Sequence, residues 1–519
     1  MNIKKTVSVI VLMTMIASTI SGCSFGMPIP EAVPTTEVED TLTTLGLEPD
    51  LSYERPVVEA HIEIDQLGYL PSQNKLAIFR GDGLTDEFRV ICVDTGEVAY
   101  TGKIKSKTIS GSDEIYFFGD FSDLTKEGVY SVQTDVIGYS YPFTISENLY
   151  DGLLEEAMKQ FYFNRCGFSL TRDYAGDNTR NACHTGLSSL RQDGTITLDV
   201  TGGWHVDTAG DRDVIRGCDA IETMLLAYEY NPEFFGDDID IPESGDGIPD
   251  VLNEIKYETE WLLKMQDQAS GAVHSSISVV DNGSHKEDPC HIEDIDISST
   301  LSFASSMGYF SYLYQAFDTA YATTCIKAAD RAMKYVTKFA DKANPDEYFR
   351  AAAMLYRATG YNNYKYIVEN YMRDMKSLDM SNNVVFVGCV TYLATKQKTR
   401  TDYCDLMTKG LKEYAVNLST TRGDYLYLMG EEADTVKHED LLPEIARLTV
   451  VNYMISSNEY EKLMEKYLHY FMGCNPTNMC YVGQYGSTNI TEIQAASDIL
   501  KQPEMDSYFI LLLSGVKQH

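Results

Sequence analysis

The 519 residues carry a formal net charge of −35, with 44% hydrophobic and 23% charged residues. That length is enough for two domains with large cores, and the composition is that of a folded protein. So acidic a chain excludes nucleic acid and anionic lipid headgroups as partners and favours a neutral or cationic one.

Lys4 and Lys5 precede a mostly apolar stretch, Thr6 to Ile20, which is too short to span a bilayer comfortably. Ile20-Ser-Gly-Cys23 then resembles a bacterial lipobox. Residues 1–22 are therefore expected to be a lipoprotein signal peptide. Lipid on Cys23 would anchor an exported protein to the outer face of a bacterial membrane. An ordinary secretory signal is the competing account. Ten other Cys are spread without a dense framework, and Cys218, Cys325 and Cys389 read as small core residues. Residues 23–58 hold Pro28, Pro30, Pro34 and Pro56 among Thr and acidic residues, the composition of an extended or disordered tether.

Residues 59–147 alternate in short runs, such as Lys75-Leu-Ala-Ile-Phe79 and Phe88-Arg-Val-Ile-Cys-Val93, separated by turn residues. This predicts a small β-sandwich. Residues 148–519 read as helical, with candidates near 150–165, 213–229, 249–266, 298–317, 320–340, 345–358, 361–376, 385–396, 402–415, 439–456, 458–472 and 503–516. In 249–266, Pro249 suits a first turn, and Val251, Leu252, Ile255, Leu262 and Leu263 make one apolar stripe.

The chemistry concentrates in Thr201-Gly-Gly-Trp-His-Val-Asp-Thr-Ala-Gly-Asp211, where Asp207 and Asp211 flank a Gly-containing turn. Paired carboxylates can hold and deprotonate a water. The glycines allow close approach to a ligand, and the Trp204 face is a platform for a sugar ring. An Asx turn or helix cap is the bland alternative. Ile241-Pro-Glu-Ser-Gly-Asp-Gly-Ile-Pro-Asp-Val-Leu-Asn-Glu254 and Glu260-Trp-Leu-Leu-Lys-Met-Gln266 follow. Together these segments resemble the signature of glycoside hydrolase family 9, the inverting endoglucanase-type enzymes. Asp346 to Gly360 is similar to that family's D-x-x-x-x-A-A-x-x-L-Y-x-A-T-G helix. Gln66-Leu-Gly-Tyr-Leu-Pro71 and Gly119-Asp-Phe-Ser122 resemble the immunoglobulin-like domain that often precedes it and supports the catalytic domain.

The resemblance implies an N-terminal immunoglobulin-like β-sandwich followed by an all-α (α/α)6 barrel. It implies hydrolysis, with inversion, of a β-glucan or related plant polysaccharide. Asp211 is then the general base and Asp207 its helper, although Asp207-Thr-Ala-Gly-Asp211 is one residue longer than the family's D-A-G-D. Trp204 and His205 are the candidate substrate contacts. Cys166, Cys183 and His184 match ligands of a structural zinc found in some members. The family's fourth ligand falls near Val214, which cannot ligate, so Asp213 and His205 are its candidate replacements. A Cys166–Cys183 disulfide or two free thiols is the alternative. Asp246, Asp250 and Glu254 offer oxygens for calcium, with capping the competing account.

The C-terminal part departs from the family. Tyr467 to Gly486 resembles its Y-x-x-G-x-N-P segment, yet no His-His-Arg follows and no Asn-Glu pair supplies the general acid. Glu504, which opens the last apolar stretch, is the candidate acid, ahead of Glu492. Because the acid motif is altered, a surface glycan-binding or scaffold lipoprotein is the rival reading.

Overall fold

The computed structural model describes residues 61–81, 84–108, 115–280, 288–423, 437–482 and 498–516. The expected signal peptide, Cys23, the tether and Glu492 lie outside them. The described chain opens with nine strands: β1 Ile62–Glu63, β2 Gly68–Tyr69, β3 Leu76–Phe79, β4 Glu87–Cys92, β5 Val98–Thr108, β6 Ile115–Asp120, β7 Gly128–Thr134, β8 Gly138–Tyr139 and β9 Phe143–Ile145. Their order is β1-β3-β6-β5-β4-β7-β9-β2, with β8 beside β7. Strand β5 is the hinge of this arrangement. It pairs with β4 as far as Lys103 and with β6 from Ile104 onward. The alternating inward residues, among them Phe79, Phe88, Val90, Tyr130, Val132 and Phe143, close one apolar core.

Strand gives way to helix between Ile145 and Asp151. Twelve helices longer than one turn follow among the described residues: α1 Asp151–Phe163, α2 Val214–Tyr230, α3 Asp250–Met265, α4 Ile297–Tyr314, α5 Thr319–Thr337, α6 Pro345–Thr359, α7 Asn362–Met372, α8 Asn383–Leu393, α9 Thr401–Arg422, α10 His438–Met454, α11 Glu461–Phe471 and α12 Pro503–Val516. Alternate helices pack side by side from α2 through α4 and α6 to α8, and α12 packs between α10 and α2. The sequence explains this division. Helices α4 and α12 are buried on nearly every side, so they are mostly apolar or small and uncharged round their circumference, save for Glu504 and Asp506 in the first turn of α12. Helices α5 and α11 bury one stripe and show water the other. Asn344 caps α6, whose first turn holds Pro345 and whose left-handed C-terminal residue is Gly360. No helix among the described residues is long and apolar enough to cross a membrane.

The strand-rich part is bolted to the helices by the Gln66-Leu-Gly-Tyr segment. The Gln66 amide N–H donates to the Met472 carbonyl at 2.9 Å and its side chain to the Asn478 carbonyl at 2.7 Å. His469 on α11 donates from Nδ1 to the buried Asp65 carboxylate at 2.8 Å. Burial alone would push the His469 imidazole down. The carboxylates of Asp65 and Glu465 outweigh it and hold the imidazole up at about 9, so the seam carries a buried ion pair.

Between helices the chain inserts short strands, of which β10 Ser188–Leu190, β11 Thr197–Leu198, β12 Arg212–Asp213, β13 Val273–His274, β14 Ser276–Val279 and β15 Cys290–Ile292 matter here. Strands β11-β10-β15-β14-β12 form one small sheet, which carries the acidic turn on its edge.

Candidate active site and metal centre

The acidic turn closes on itself. The Val206 amide N–H donates to the Asp211 carbonyl at 2.9 Å, and Asp207 Oδ1 accepts from Gly210 and Asp211 at 2.9 and 3.0 Å. Asp207 therefore spends one oxygen fixing the turn, as an Asx residue does. Strand β12 leaves the turn and pairs with β14, which brings the Val279 amide onto Asp211 Oδ1 at 2.7 Å. Asp211 is partly exposed, and its other oxygen has no protein donor among the described residues. Partial burial pushes its carboxyl above the usual aspartate range. The Asp207 charge adds to that, and the Val279 N–H opposes it.

Glu504 lies in the first turn of α12, and α12 packs against α2. Arg216, one turn into α2, clamps both Glu504 oxygens, Nη2 to Oε2 at 2.9 Å and Nε to Oε1. The same guanidinium reaches the Val206 carbonyl at 3.4 Å. One arginine thus joins the candidate acid to the residue before Asp207. Asp213 caps α2 by accepting from the Arg216 amide at 2.9 Å. Among the described residues, the other C-terminal acids are engaged or inaccessible: Asp498 caps the Leu500 amide, and Asp506 is fully buried.

A carboxyl that sequence reasoning passed over sits nearby. Asp219 on α2 is partly exposed and accepts from Arg350 at 3.2 Å, beside Glu222. Burial, with the charges of Glu222 and Glu504, pushes it up to about 6 against the pull of Arg350. Its signal was available, as an acid one residue after Cys218 on a helix that is otherwise buried. Arg216 had no signal short of knowing which helix it faces.

Two substrate expectations are corrected. Trp204 is 1% exposed and packs edge-on to Phe161 at 4.8 Å. Its backbone N–H donates to the buried Glu258 carboxyl at 2.7 Å. It is a core residue and offers no face to a sugar. The glycines beside it serve packing as well. Gly203 has φ +82°, and a Cβ there would fall 2.6 Å from the Trp261 ring. His205, the other expected substrate contact, faces inward to a cluster of sulfur and nitrogen donors.

That cluster is Cys166, Cys183, His184 and His205, whose ligand atoms lie within 4.8 Å of one another. Cys166 Sγ is 3.6 Å from His184 Nδ1, and Cys183 Sγ is 3.5 Å from His205 Nε2. A tetrahedron with Zn–S near 2.3 Å and Zn–N near 2.05 Å has S···N edges of about 3.6 Å. The donor set therefore fits zinc, and His205, rather than Asp213, would supply the fourth ligand. Asp213 is occupied as a cap, and Val214 opens α2 as a buried apolar residue. Burial pushes the His205 imidazole down, toward the neutral form that binds metal. The hydrogen bond from Cys166 pulls the Cys183 thiol down, while burial pushes Cys166 up. Arg180 donates to Cys183 Sγ at 3.1 Å, and Arg212 donates to Cys166 Sγ. The two cysteines are free thiols, not a disulfide.

The cluster and the turn touch at one glycine. Gly210 has φ +95°, and a Cβ there would fall 2.4 Å from His184 Cε1. Arg212, which follows Asp211, reaches Cys166. The cluster is thus the wall on which Asp211 is mounted. The acids expected to hold calcium each accept from protein donors, although Asp250 Oδ1 is buried without a partner among the described residues. Glu254 is paired with the buried Arg165 at 2.8 Å, Asp250 accepts from Ile239 and Ser244, and Asp246 accepts from the Ile248 amide.

The model of glycosyl hydrolase family 9 matches residues 150–505, and that of the cellulase N-terminal Ig-like domain matches residues 58–138. The chain belongs to glycosyl hydrolase family 9. Among curated relatives, endoglucanase D of Acetivibrio thermocellus is 25% identical over 466 residues, covering 82% of this chain and 73% of that protein. A cellodextrinase of Butyrivibrio fibrisolvens is 26% identical over 474 residues, covering 81% and 84%. A zinc-binding triple mutant of a family 9 endoglucanase superposes with a TM-score of 0.71 at 24% identity, covering 80% of this chain and 84% of that one. The family 9 domain here is thus a helical glycoside hydrolase domain behind an immunoglobulin-like one.

Proposed function

We propose that this family 9 protein hydrolyses internal or terminal glycosidic bonds of a cellulose-type β-glucan, with inversion, on a helical domain that closes as an (α/α)6 barrel. The observation that carries the reading is Asp211. One of its oxygens is fixed by the Val279 N–H at 2.7 Å, and the other has no protein donor among the described residues. A water held there loses its proton to Asp211 as its oxygen attacks the anomeric carbon. The leaving glycosidic oxygen takes a proton from the facing carboxyl, for which Glu504 is the candidate. The relatives' names, an endoglucanase and a cellodextrinase, support β-glucan as substrate. Zinc on Cys166, Cys183, His184 and His205 would supply no reacting atom, and those residues would hold the turn. The lipobox supports an exported protein anchored through Cys23.

The test is product stereochemistry. Incubation with a soluble β-glucan oligosaccharide, followed by NMR, should show the α-anomer first, and Asp211→Ala should show none. First appearance of the β-anomer would overturn the mechanism. Zinc is tested by elemental analysis, with about one equivalent expected, and metal-free folded protein counts against it. The rival reading, a glycan-binding scaffold, is favoured by Arg216 occupying both Glu504 oxygens. Glucan binding without hydrolysis over a broad substrate panel would establish it.

A further inference from the structure

A second cavity, of about 570 Å³, opens between the end of α5, the start of α6 and one face of α7. None of these helices carries Asp211 or Glu504. Helix α7 buries Tyr364, Val368 and Met372 in the core. A separate stripe on the same helix, Asn363, Tyr366, Asn370 and Tyr371, lines the cavity together with Tyr348 and Phe349. Ile367 lines it too, and an open groove on so acidic a protein is expected to be charged, yet no lining residue is charged. Tyr366 is 64% exposed. Tyr371 stacks on Phe349 with centroids 4.3 Å apart and planes 9° off parallel, and its hydroxyl donates to Asp346 at 2.8 Å. The Tyr371 ring is thus held against the buried Phe349, which leaves Tyr348 and the exposed Tyr366 as the open aromatic faces, with the two exposed amides offering donors and acceptors beside them.

We infer that this cavity is an accessory binding site for a neutral β-glucan chain, separate from the catalytic residues. Aromatic faces cover the apolar face of a pyranose, while an Asn side chain satisfies vicinal hydroxyls as donor and acceptor together. The volume falls in the range that encloses small ligands. The absence of charge fits an uncharged polymer and disfavours an acidic or basic peptide. The inference rests on the glucan-hydrolysing reading for its choice of sugar. Its role would be to hold a long polymer near the site, which short substrates do not need.

The experiment uses the full chain in an Asp211→Ala background, so that the polymer survives. Retardation in a gel containing soluble β-glucan is compared with and without Tyr366→Ala and Asn370→Ala. Loss of the two side chains should weaken retardation about tenfold, the worth of one stacking face and one amide pair. With Asp211 intact, the double variant should cleave a short aryl β-cellobioside at the unaltered rate but show a raised KM on polymer. Equal retardation overturns the inference, and so does an equal loss of activity on the short substrate. Retardation that depends on Tyr366 in a protein that cleaves no glucan would strike the hydrolase reading and leave this one standing.

Discussion

The two sides of the proposed catalytic site, with Asp211 as its base and Glu504 as its acid, are built differently. On the base side, Asp211 is fixed by a closed turn, a β-strand pairing and a wall of sulfur and nitrogen ligands, all drawn from residues 166–279. On the acid side, Glu504 is fixed by a single guanidinium from a distant helix. A preorganised base needs no rearrangement to meet its water, whereas the acid must exchange Arg216 for substrate before it can touch a leaving oxygen. The lesson is that half of this site is ready in the free protein and half waits for a ligand.

The comparison breaks most readily at Asp211. Asp211→Ala should lower turnover by about 10²–10⁴-fold on every substrate, since general base catalysis is worth that much. A smaller loss, measured by reducing-sugar release, would mean that the base is elsewhere. Glu504→Gln probes the other side. Polysaccharide turnover should fall by roughly 10²-fold or more, with a much smaller loss on dinitrophenyl glycosides, whose leaving oxygen needs little proton. Equal loss on both would make Glu504 a structural partner of Arg216 and pass the acid role to Asp219. Gly210→Ala tests whether the cluster positions the base. Its Cβ would meet His184 at 2.4 Å in a left-handed backbone, so destabilisation of about 1–3 kcal/mol is expected, with a fall in kcat on all substrates alike. Unchanged melting and kcat would uncouple the two. The smallest effect is that of Asp207→Asn. An amide oxygen still accepts the turn's N–H bonds but removes a charge that raises Asp211. Asp211 must be ionised to act, so the acid limb of the pH–rate profile should move to lower pH. A limb that stays put would sever the electrostatic link.

Periodicity made the helices legible from sequence because inner and outer helices differ in how much of their circumference is apolar. The prediction for 213–229 ended one residue short of Tyr230, whereas 402–415 stopped early because Val416 and Thr420, on the exposed side of α9, carry no core pattern. The acidic turn was legible because its residue types are rare together. What a residue faces was not. Trp204 in a Gly-rich run reads equally as platform or core, and only Phe161 and Glu258 decide. His205 reads equally as a substrate contact or as a fourth zinc ligand until Cys183 is placed 3.5 Å away. The Arg216–Glu504 pairing spans the fold and leaves no local trace.

That span has a consequence for how the molecule is made. Cys166 and His184 meet across 18 residues, and Arg216 and Glu504 across 288. Four doublings of loop length separate these contacts, roughly 2.4 kcal/mol of extra closure entropy. The cluster and its turn are therefore free to assemble from their own neighbourhood, while the acid arrives only when α12 slots between α2 and α10. An N-terminus-first chain carries its base long before its acid. A copy stalled or clipped before α12 lacks the proton donor and the closing helix together, leaving the buried faces of α2 and α10 open to proteolysis rather than a quiet, folded half-enzyme.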